Sequence, residues 1–401
     1  MAGAEELRQL TLSAKEKLSL GSKQLDDLDE NVLAAKMKAA ELPPGTEFIS
    51  ITPHGVSSFN ETWRIETILN GQVLLYFMKS HEGDLGRRSL LGSFESEKLF
   101  HEYEPEHVPR PIAFGNYRRD PNTWFFLAVF HDMVEELPEV DKFVSIVARY
   151  HRESLGRSPG GKWGFHTETG LPFVQHDNDY QDTWESLFTN MMRKMLEEEE
   201  IVHGQDDELD ELKRDLFEKV MPRLLRPMES GGRSIQPCLI HTDLWPGNLL
   251  PDVDTDRLMI YDSRAMWGHN ECDLGTWRAA RFTLGPAYVN EYQKQMSMSQ
   301  PEGDWSDRHA LYALRYEVLY AVLFPGEENL RRVFMDEIRR LVDKYPDGLD
   351  GFQGEYDEKP GREVTVYDDE KQSYSSRVEW QPSAITLHDA SRPLEMGVVG
   401  A

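Results

Sequence analysis

Hydrophobic spacing divides the chain into four stretches of different character. Over residues 1–45 leucines recur at helical intervals, among them Leu7, Leu10, Leu18, Leu25, Leu28 and Leu33, with a break at Gly21-Ser22 and a stop at Pro43-Pro44-Gly45. That pattern predicts an N-terminal extension of one or two amphipathic helices lying on the main body. From Glu47 the period drops towards two: FISITPHG, TWRIETIL and VLLYFMK read as strands, and Asn70-Gly71 between the last two is a hairpin signal. An amphipathic segment from Leu90 to His101 follows, and the aromatic-rich Thr123 to Phe130 (TWFFLAVF) reads as a buried strand. Past Asp141 the spacing is helical again through Phe143, Ile146, Val147, Tyr150 and His151, and a later stripe runs Leu209, Leu212, Leu216, Val220, Leu224. Two more helices are expected over 306–324 and 327–344, and the acidic runs at 197–200 and 206–210 read as a solvated turn between helices. From about Asp347 periodicity fades into Gly, Asp, Glu, Ser and Pro, so residues 347–401 are expected to be a disordered acidic tail.

Composition narrows the functional classes. A chain of 401 residues is long enough for two lobes, and a hydrophobic share of 39% with 10% aromatics is that of a globular protein. Asp and Glu number 71 against 44 Lys and Arg, a formal charge of -27. Such a surface repels phosphate backbones and anionic membranes, which argues against nucleic acid and membrane as partners and tolerates a neutral or cationic substrate. Two cysteines, Cys238 and Cys272, make no disulfide framework and suit a reducing compartment. No signal peptide or membrane span is evident, so a cytoplasmic location is expected.

The candidate chemistry lies between Leu239 and Asp262. The apolar run Cys238-Leu239-Ile240 leads into His241-Thr242-Asp243, Trp245-Pro246-Gly247 forces a turn before Asn248, and a second run, Leu258 to Tyr261, delivers Asp262. Two strand ends joined by a tight loop place the oxygens of Asp243, Asn248 and Asp262 around one small volume. Magnesium takes oxygen ligands and usually only one or two carboxylates, so Asn248 and Asp262 form a sufficient protein share of a metal site. Asp243 is then left to accept the proton of a hydroxyl nucleophile. Phosphoryl transfer asks for little more than positioning and charge neutralisation, and the five-residue step from Asp243 to Asn248 is that of kinase catalytic loops. Three strands ending in a lysine suit the nucleotide lobe of such an enzyme. Lys79 is accordingly the candidate clamp for the α- and β-phosphates, with Glu97 as its expected ion-pair partner and Glu95 as the rival.

HTDLWPGN together with YDSRAMWGHNECDL resembles the fructosamine (ketosamine) 3-kinase family within the kinase-like small-molecule phosphotransferases; Trp245, Gly268, His269, Glu271 and Leu274 carry the narrower likeness. WGFHT at 163–167 and QDTW at 181–184 extend it, and it covers about residues 47 to 345. The resemblance implies an α+β, two-lobed protein-kinase-like fold, with a small antiparallel-sheet N-lobe over 46–132 and a mainly helical C-lobe over 133–346. It also implies ATP and Mg2+ as cofactors and a ketoamine or glycated protein as substrate. Phosphorylation at the 3-hydroxyl of a fructosamine or ribulosamine on protein lysine would release the adduct, which amounts to deglycation. By the same likeness, Val129, Phe130 and His131 would offer backbone groups to adenine, His241 would hold the loop, and Trp245, His269, Glu271 and Trp184 would lie on the acceptor side. Asp273 reads as a cap or brace.

Three departures stand out. The turn at 54–60 carries one glycine where the family is glycine-rich, Arg264 stands where the family usually has Ala, and Tyr320-Ala321-Val322-Leu323 replaces a His- and Asn-rich segment. They keep two alternatives open: a kinase of another small hydroxyl or amine compound, and a nucleotide-binding pseudokinase.

Overall fold

The computed structural model describes residues 42–352 apart from 56, 58–59, 118–119, 172–173 and 279–283, together with the backbone of 362–368 and 373–379. The leucine-spaced extension therefore lies almost wholly outside the described residues.

Strands β1 (Glu47–Pro53), β2 (Glu61–Leu69) and β3 (Gln72–Glu82) form the hairpins that the period-two stretch predicts. Asn70 and Gly71 both adopt positive φ, 52° and 79°, the geometry that a two-residue hairpin turn demands, and Leu69 pairs with Gln72 across it. Helix α1 (Gly83–Tyr103) follows, then β4 (Pro111–Asn116) and β5 (Thr123–Val129), which complete an antiparallel sheet of order β1-β2-β3-β5-β4. Strict alternation sorts the faces. Ile51, Trp63, Ile65, Tyr76, Met78 and Leu127 fill one side, while Leu90 and Phe94 of α1 cover Phe126 and Ala128 on the other. Lys79 sits directly opposite Phe126 in the β3–β5 register, so it shares the face that α1 covers.

The larger lobe is mainly helical. Helix α2 (Val140–Ser154) leads through β6 (Gly170–Leu171) and β7 (Val174–Gln175) to α3 (Trp184–His203), α4 (Asp207–Asp215), a π-helical turn at Leu216–Val220 and α5 (Met221–Leu225). Short strands β8 (Cys238–Ile240), β9 (Leu249–Pro251), β10 (Leu258–Ile260) and β11 (Met266–Gly268) pair as β8–β11 and β9–β10. A 3-10 segment at Asn270–Arg278 precedes α6 (Pro286–Gln295), α7 (Trp305–Leu323) and α8 (Glu328–Lys344). One apolar core runs from Phe143 and Trp184 through Leu239 and Ile240 to Leu311 and Phe334, so the short strands carrying the candidate chemistry are rooted in it. Among the described residues no helix is long and apolar enough to cross a membrane.

Two expectations need correction. Neither acidic run is a turn: 197–200 lies inside α3, where Glu is a good helix former, and 207–210 form the first turn of α4 behind the Asp206 N-cap, so the chain turns at 204–206. Glu199 is fully buried in α3 and pairs with Arg331 at 2.6 Å. Within the segment expected to be disordered, β12 (Arg362–Asp368) pairs with β13 (Ser373–Glu379) in antiparallel register. Alternation in VTVY and SYSSRV, rich in β-branched and aromatic residues, accounts for that pairing despite the acidic surroundings.

Candidate active site

The loop leaving β8 turns through an unfavourable conformation. Thr242 has φ +64°, a region that a β-branched residue rarely enters, so the surroundings must hold it there. Asp273 does much of this. Its carboxylate accepts the Thr242 N–H at 2.6 Å, the His241 N–H at 2.9 Å and the Tyr150 hydroxyl at 2.7 Å, with His151 Nε2 at 3.1 Å. The Thr242 hydroxyl donates to the Arg264 carbonyl at 2.8 Å, and Arg315 and the Tyr316 hydroxyl both donate to the Thr242 carbonyl. Asp273 is thus a brace. His241 holds the far side: Nδ1 accepts the Asp243 N–H at 3.2 Å, which leaves Nε2–H to donate to the Tyr261 carbonyl at 3.1 Å. Burial lowers its imidazolium pKa to about 4, so the ring stays neutral in that tautomer.

This frame delivers the three oxygen-bearing residues to one place. Asn248 Nδ2 donates to Asp243 Oδ2 at 3.0 Å and to the Asp243 carbonyl at 2.9 Å, which leaves the Asn248 side-chain oxygen uncommitted by these bonds. The Tyr261 N–H donates to the Asn248 carbonyl at 3.1 Å, and this sets Asp262 beside it. Asp262 also has a positive φ, 59°. Burial, and after it the negative charge of Asp262, push the Asp243 carboxyl up to about 7. At Asp262 burial acts in the same direction, but Arg264 and Lys79 outweigh it and hold the carboxyl well below the usual carboxylate range. Two neighbouring carboxylates with pKa values pushed apart suit one proton acceptor and one permanently charged cation ligand. Lys79 meets them across the lobes, with Nζ 2.7 Å from Asp262 Oδ1.

The partner expected for Lys79 is different. Glu97 is buried on α1, but its Oε1 accepts the Ser263 N–H at 2.9 Å and the Ser263 hydroxyl at 3.1 Å. Beside it the Ala265 N–H donates to Ser96 Oγ at 2.9 Å and Arg264 donates to Ser93 Oγ. Positions 93, 96 and 97 form one helical face, so α1 grips the segment after Asp262 residue by residue and leaves Lys79 to Asp262 itself. Burial raises the Glu97 carboxyl to about 7. The rival, Glu95, meets His166 at 3.2 Å instead.

Several other expected contacts are also corrected. Of the three residues expected to meet adenine, the Val129 N–H donates to the Arg110 carbonyl at 2.9 Å and the Phe130 N–H to the Leu75 carbonyl at 3.1 Å. Both donors are thus spent within the lobe; the His131 ring lies with Nδ1 2.7 Å from Asp252 Oδ2, a side-chain contact that does not engage the backbone groups expected to meet adenine. Trp184 is fully buried in the helical core, its indole donating to the Tyr312 hydroxyl at 2.9 Å, and it walls no cleft. His269 is buried between the Tyr312 and Ser299 hydroxyls, each at 2.8 Å, and burial lowers its pKa to about 4. Glu271 is consumed by Arg308 Nε at 2.9 Å and the Ser299 N–H at 2.7 Å. A carboxylate committed to a buried guanidinium does not face a sugar; it and His269 shape the 299–301 loop. Trp245 is 37% exposed beside Asp243, with its ring packed so closely over Gly247 that a Cβ there would lie 2.1 Å from it.

The sequence reading missed Arg315 and Tyr316, which reach the loop from α7, and the α1 serines. Arg315 carried a signal, a cation inside the apolar run LYALRYEVLYAVL, where a charge survives burial only with a task.

The family model described as fructosamine kinase matches residues 35–343. A protein named probable ketoamine kinase from Staphylococcus aureus is 25% identical over 307 residues, which are 75% of this chain and 94% of that protein. The chloroplastic protein-ribulosamine 3-kinase of Arabidopsis thaliana is 34% identical over 109 residues, 27% of this chain and 32% of its own length. Among solved structures, a protein assigned as a fructosamine-3-kinase from Thermobifida fusca superposes with a TM-score of 0.58 at 19% identity, covering 80% of this chain and all (100%) of that one. Its counterpart from Haemophilus somnus gives 0.56 at 17%, covering 79% and 95%. At those identities the structural likeness is one of fold.

Proposed function

This chain belongs to the fructosamine kinase family and is thereby a ketosamine kinase, and we propose that it moves the γ-phosphoryl group of ATP to the 3-hydroxyl of a fructosamine or ribulosamine on a protein lysine. The observation that supports this reading most is the meeting of Lys79 with Asp262 at 2.7 Å beside the hydrogen-bonded Asp243–Asn248 pair. On this reading Lys79 is the phosphate clamp, Asp243 the proton acceptor and Asp262 the cation ligand of one cleft.

The donor chemistry fits magnesium. Among the described residues no three His, Cys, Asp or Glu side chains cluster as a self-sufficient metal cage. Asn248 and Asp262 instead make up the small oxygen share that magnesium takes from protein when phosphate and water supply the rest. When bound, the ion neutralises charge on the phosphates. Lys79 turns from Asp262 to the α- and β-phosphates. Asp243 Oδ2 is oriented by Asn248, so its other oxygen takes the proton as the 3-hydroxyl oxygen bonds to the γ-phosphorus and the bond to the bridging oxygen of ADP breaks. A pKa near 7 matches that task at neutral pH. Trp245 offers the acceptor an apolar wall, and release of the 3-phosphorylated adduct from lysine completes deglycation.

The test is ATP-dependent phosphate transfer to ribated and fructosylated lysine, against choline and aminoglycosides, by wild type and Asp243→Asn. Transfer to the ketoamines that the variant loses supports the reading. Transfer only to the other hydroxyl compounds replaces the acceptor, and nucleotide binding without transfer replaces the enzyme.

A further inference from the structure

The oxygen of Asp262 that faces the sheet is already shared by two cations. Lys79 Nζ lies 2.7 Å and Arg264 Nη2 3.0 Å from the same Oδ1. The two differ in freedom. Lys79 stands at the end of a flexible stem and has phosphates to move to. Arg264 does not: its side chain is 6% exposed, its Nη1 is tied to Ser93 of α1, and its own N–H donates to the His241 carbonyl at 3.0 Å. The residues on either side are tied to α1 as well, Ser263 to Glu97 and Ala265 to Ser96. The Asp262 side chain, at 27%, is the one that opens to the cleft.

A guanidinium fixed against a carboxylate occupies a lone pair and cancels its charge. A hydrated divalent cation gains little by giving up water for such a ligand, and it meets the Arg264 charge besides. Nucleotide phosphates change the balance by supplying the negative charge and further oxygens. We propose that Arg264 is a positioning residue that prevents Asp262 from taking up a divalent cation by itself, so that the ion enters only together with the nucleotide. This rests on the kinase reading of the site.

The probe is Mn2+, followed by the loss of its free-ion paramagnetic signal on titration with the full chain, without nucleotide and with ADP. Without nucleotide, Arg264→Met is expected to bind Mn2+ at least about tenfold more tightly than wild type, a gain that mere structural damage does not produce. Arg264→Lys is expected to restore weak binding, and ADP to bring the affinities together. Asp262 retains Lys79 in the Met variant, and Ser93→Ala, which cuts the tether of the guanidinium together with the hydroxyl's own bond to the Ser89 carbonyl one turn back in the helix, gives the same direction of change should Arg264→Met fail to fold. Equal Mn2+ affinity of wild type and the folded variant overturns the inference and leaves phosphate transfer untouched. Failure of wild type to bind ADP with Mn2+ at all sinks the inference together with the kinase reading.

Discussion

Replacing Asp243 by Asn should damage catalysis and strengthen the fold, in amounts that depend on pH. Burial beside Asp262 lifts the Asp243 carboxyl from 3.8 to about 7, so the folded protein disfavours its charged form by about three units. At 1.36 kcal/mol per unit, this corresponds to at most about 4 kcal/mol of stability. The sign follows from where the proton is lost. The unfolded chain gives it up near the ordinary value while the folded one retains it, so wild-type stability drains away as pH rises from about 4 to about 7. An amide has no proton to lose, and it can still accept from Asn248 Nδ2. The variant should therefore exceed wild type by up to about 4 kcal/mol at pH 8 and by about 2 kcal/mol at pH 5. Urea midpoints of both proteins at the two pH values measure this. Phosphate transfer should meanwhile drop by about 10²–10⁴-fold, and wild-type kcat/KM should fall as pH descends through 7. If the Asn variant gains nothing on wild type between pH 5 and pH 8, the carboxylate carries no burial penalty and its assignment as a base tuned to neutral pH fails.

Other outcomes are expected from single contacts. Lys79→Met should weaken ATP binding and lower kcat/KM by about 10²-fold, read by nucleotide titration and transfer rate. Asp273→Ala orphans the donors of His241, Thr242, Tyr150 and His151, and thermal unfolding should show a loss of about 3–5 kcal/mol. Glu271→Gln should lower the melting temperature through the weakened Arg308 pair and leave the KM for ketoamine unchanged; a raised KM with intact stability would return Glu271 to the acceptor side. Gly247→Ala drives a methyl into the Trp245 ring and should raise the acceptor KM by about tenfold with the KM for ATP unaltered.

What the sequence reveals and what it conceals divide along the range of the interactions. The Asn70-Gly71 hairpin, the alternating strands and the step from Asp243 to Asn248 are local, and each is visible in a window of a few residues; Asp262 follows on the next apolar run. The partner of Lys79 is not local. Glu95 and Glu97 sit two apart on one helix, and only the docking of α1 on residues 263–265 decides that one of them serves Ser263 and the other His166. The same limit applies to His269 and Glu271. A motif fixes which residues stand in a loop but not which way they point, and the arginine that claims Glu271 lies 37 positions on, at Arg308. Trp184 went wrong for a related reason, since an aromatic at a helix start looks alike from sequence whether it walls a cleft or fills a core. At 362–379 the alternation was present, but acidic composition masked it.

Helix α1 is attached to its two neighbours by different physics. Towards the sheet it presents Leu90 and Phe94, an apolar bearing without directional bonds; towards the other lobe Ser96 and Glu97 latch the backbone N–H groups of Ala265 and Ser263, and Ser93 latches the Arg264 guanidinium. Cleft breathing therefore costs least as a glide of the sheet over the helix, with Lys79 carried along and the helix travelling with the aspartates, although the chain itself runs unbroken from sheet to helix.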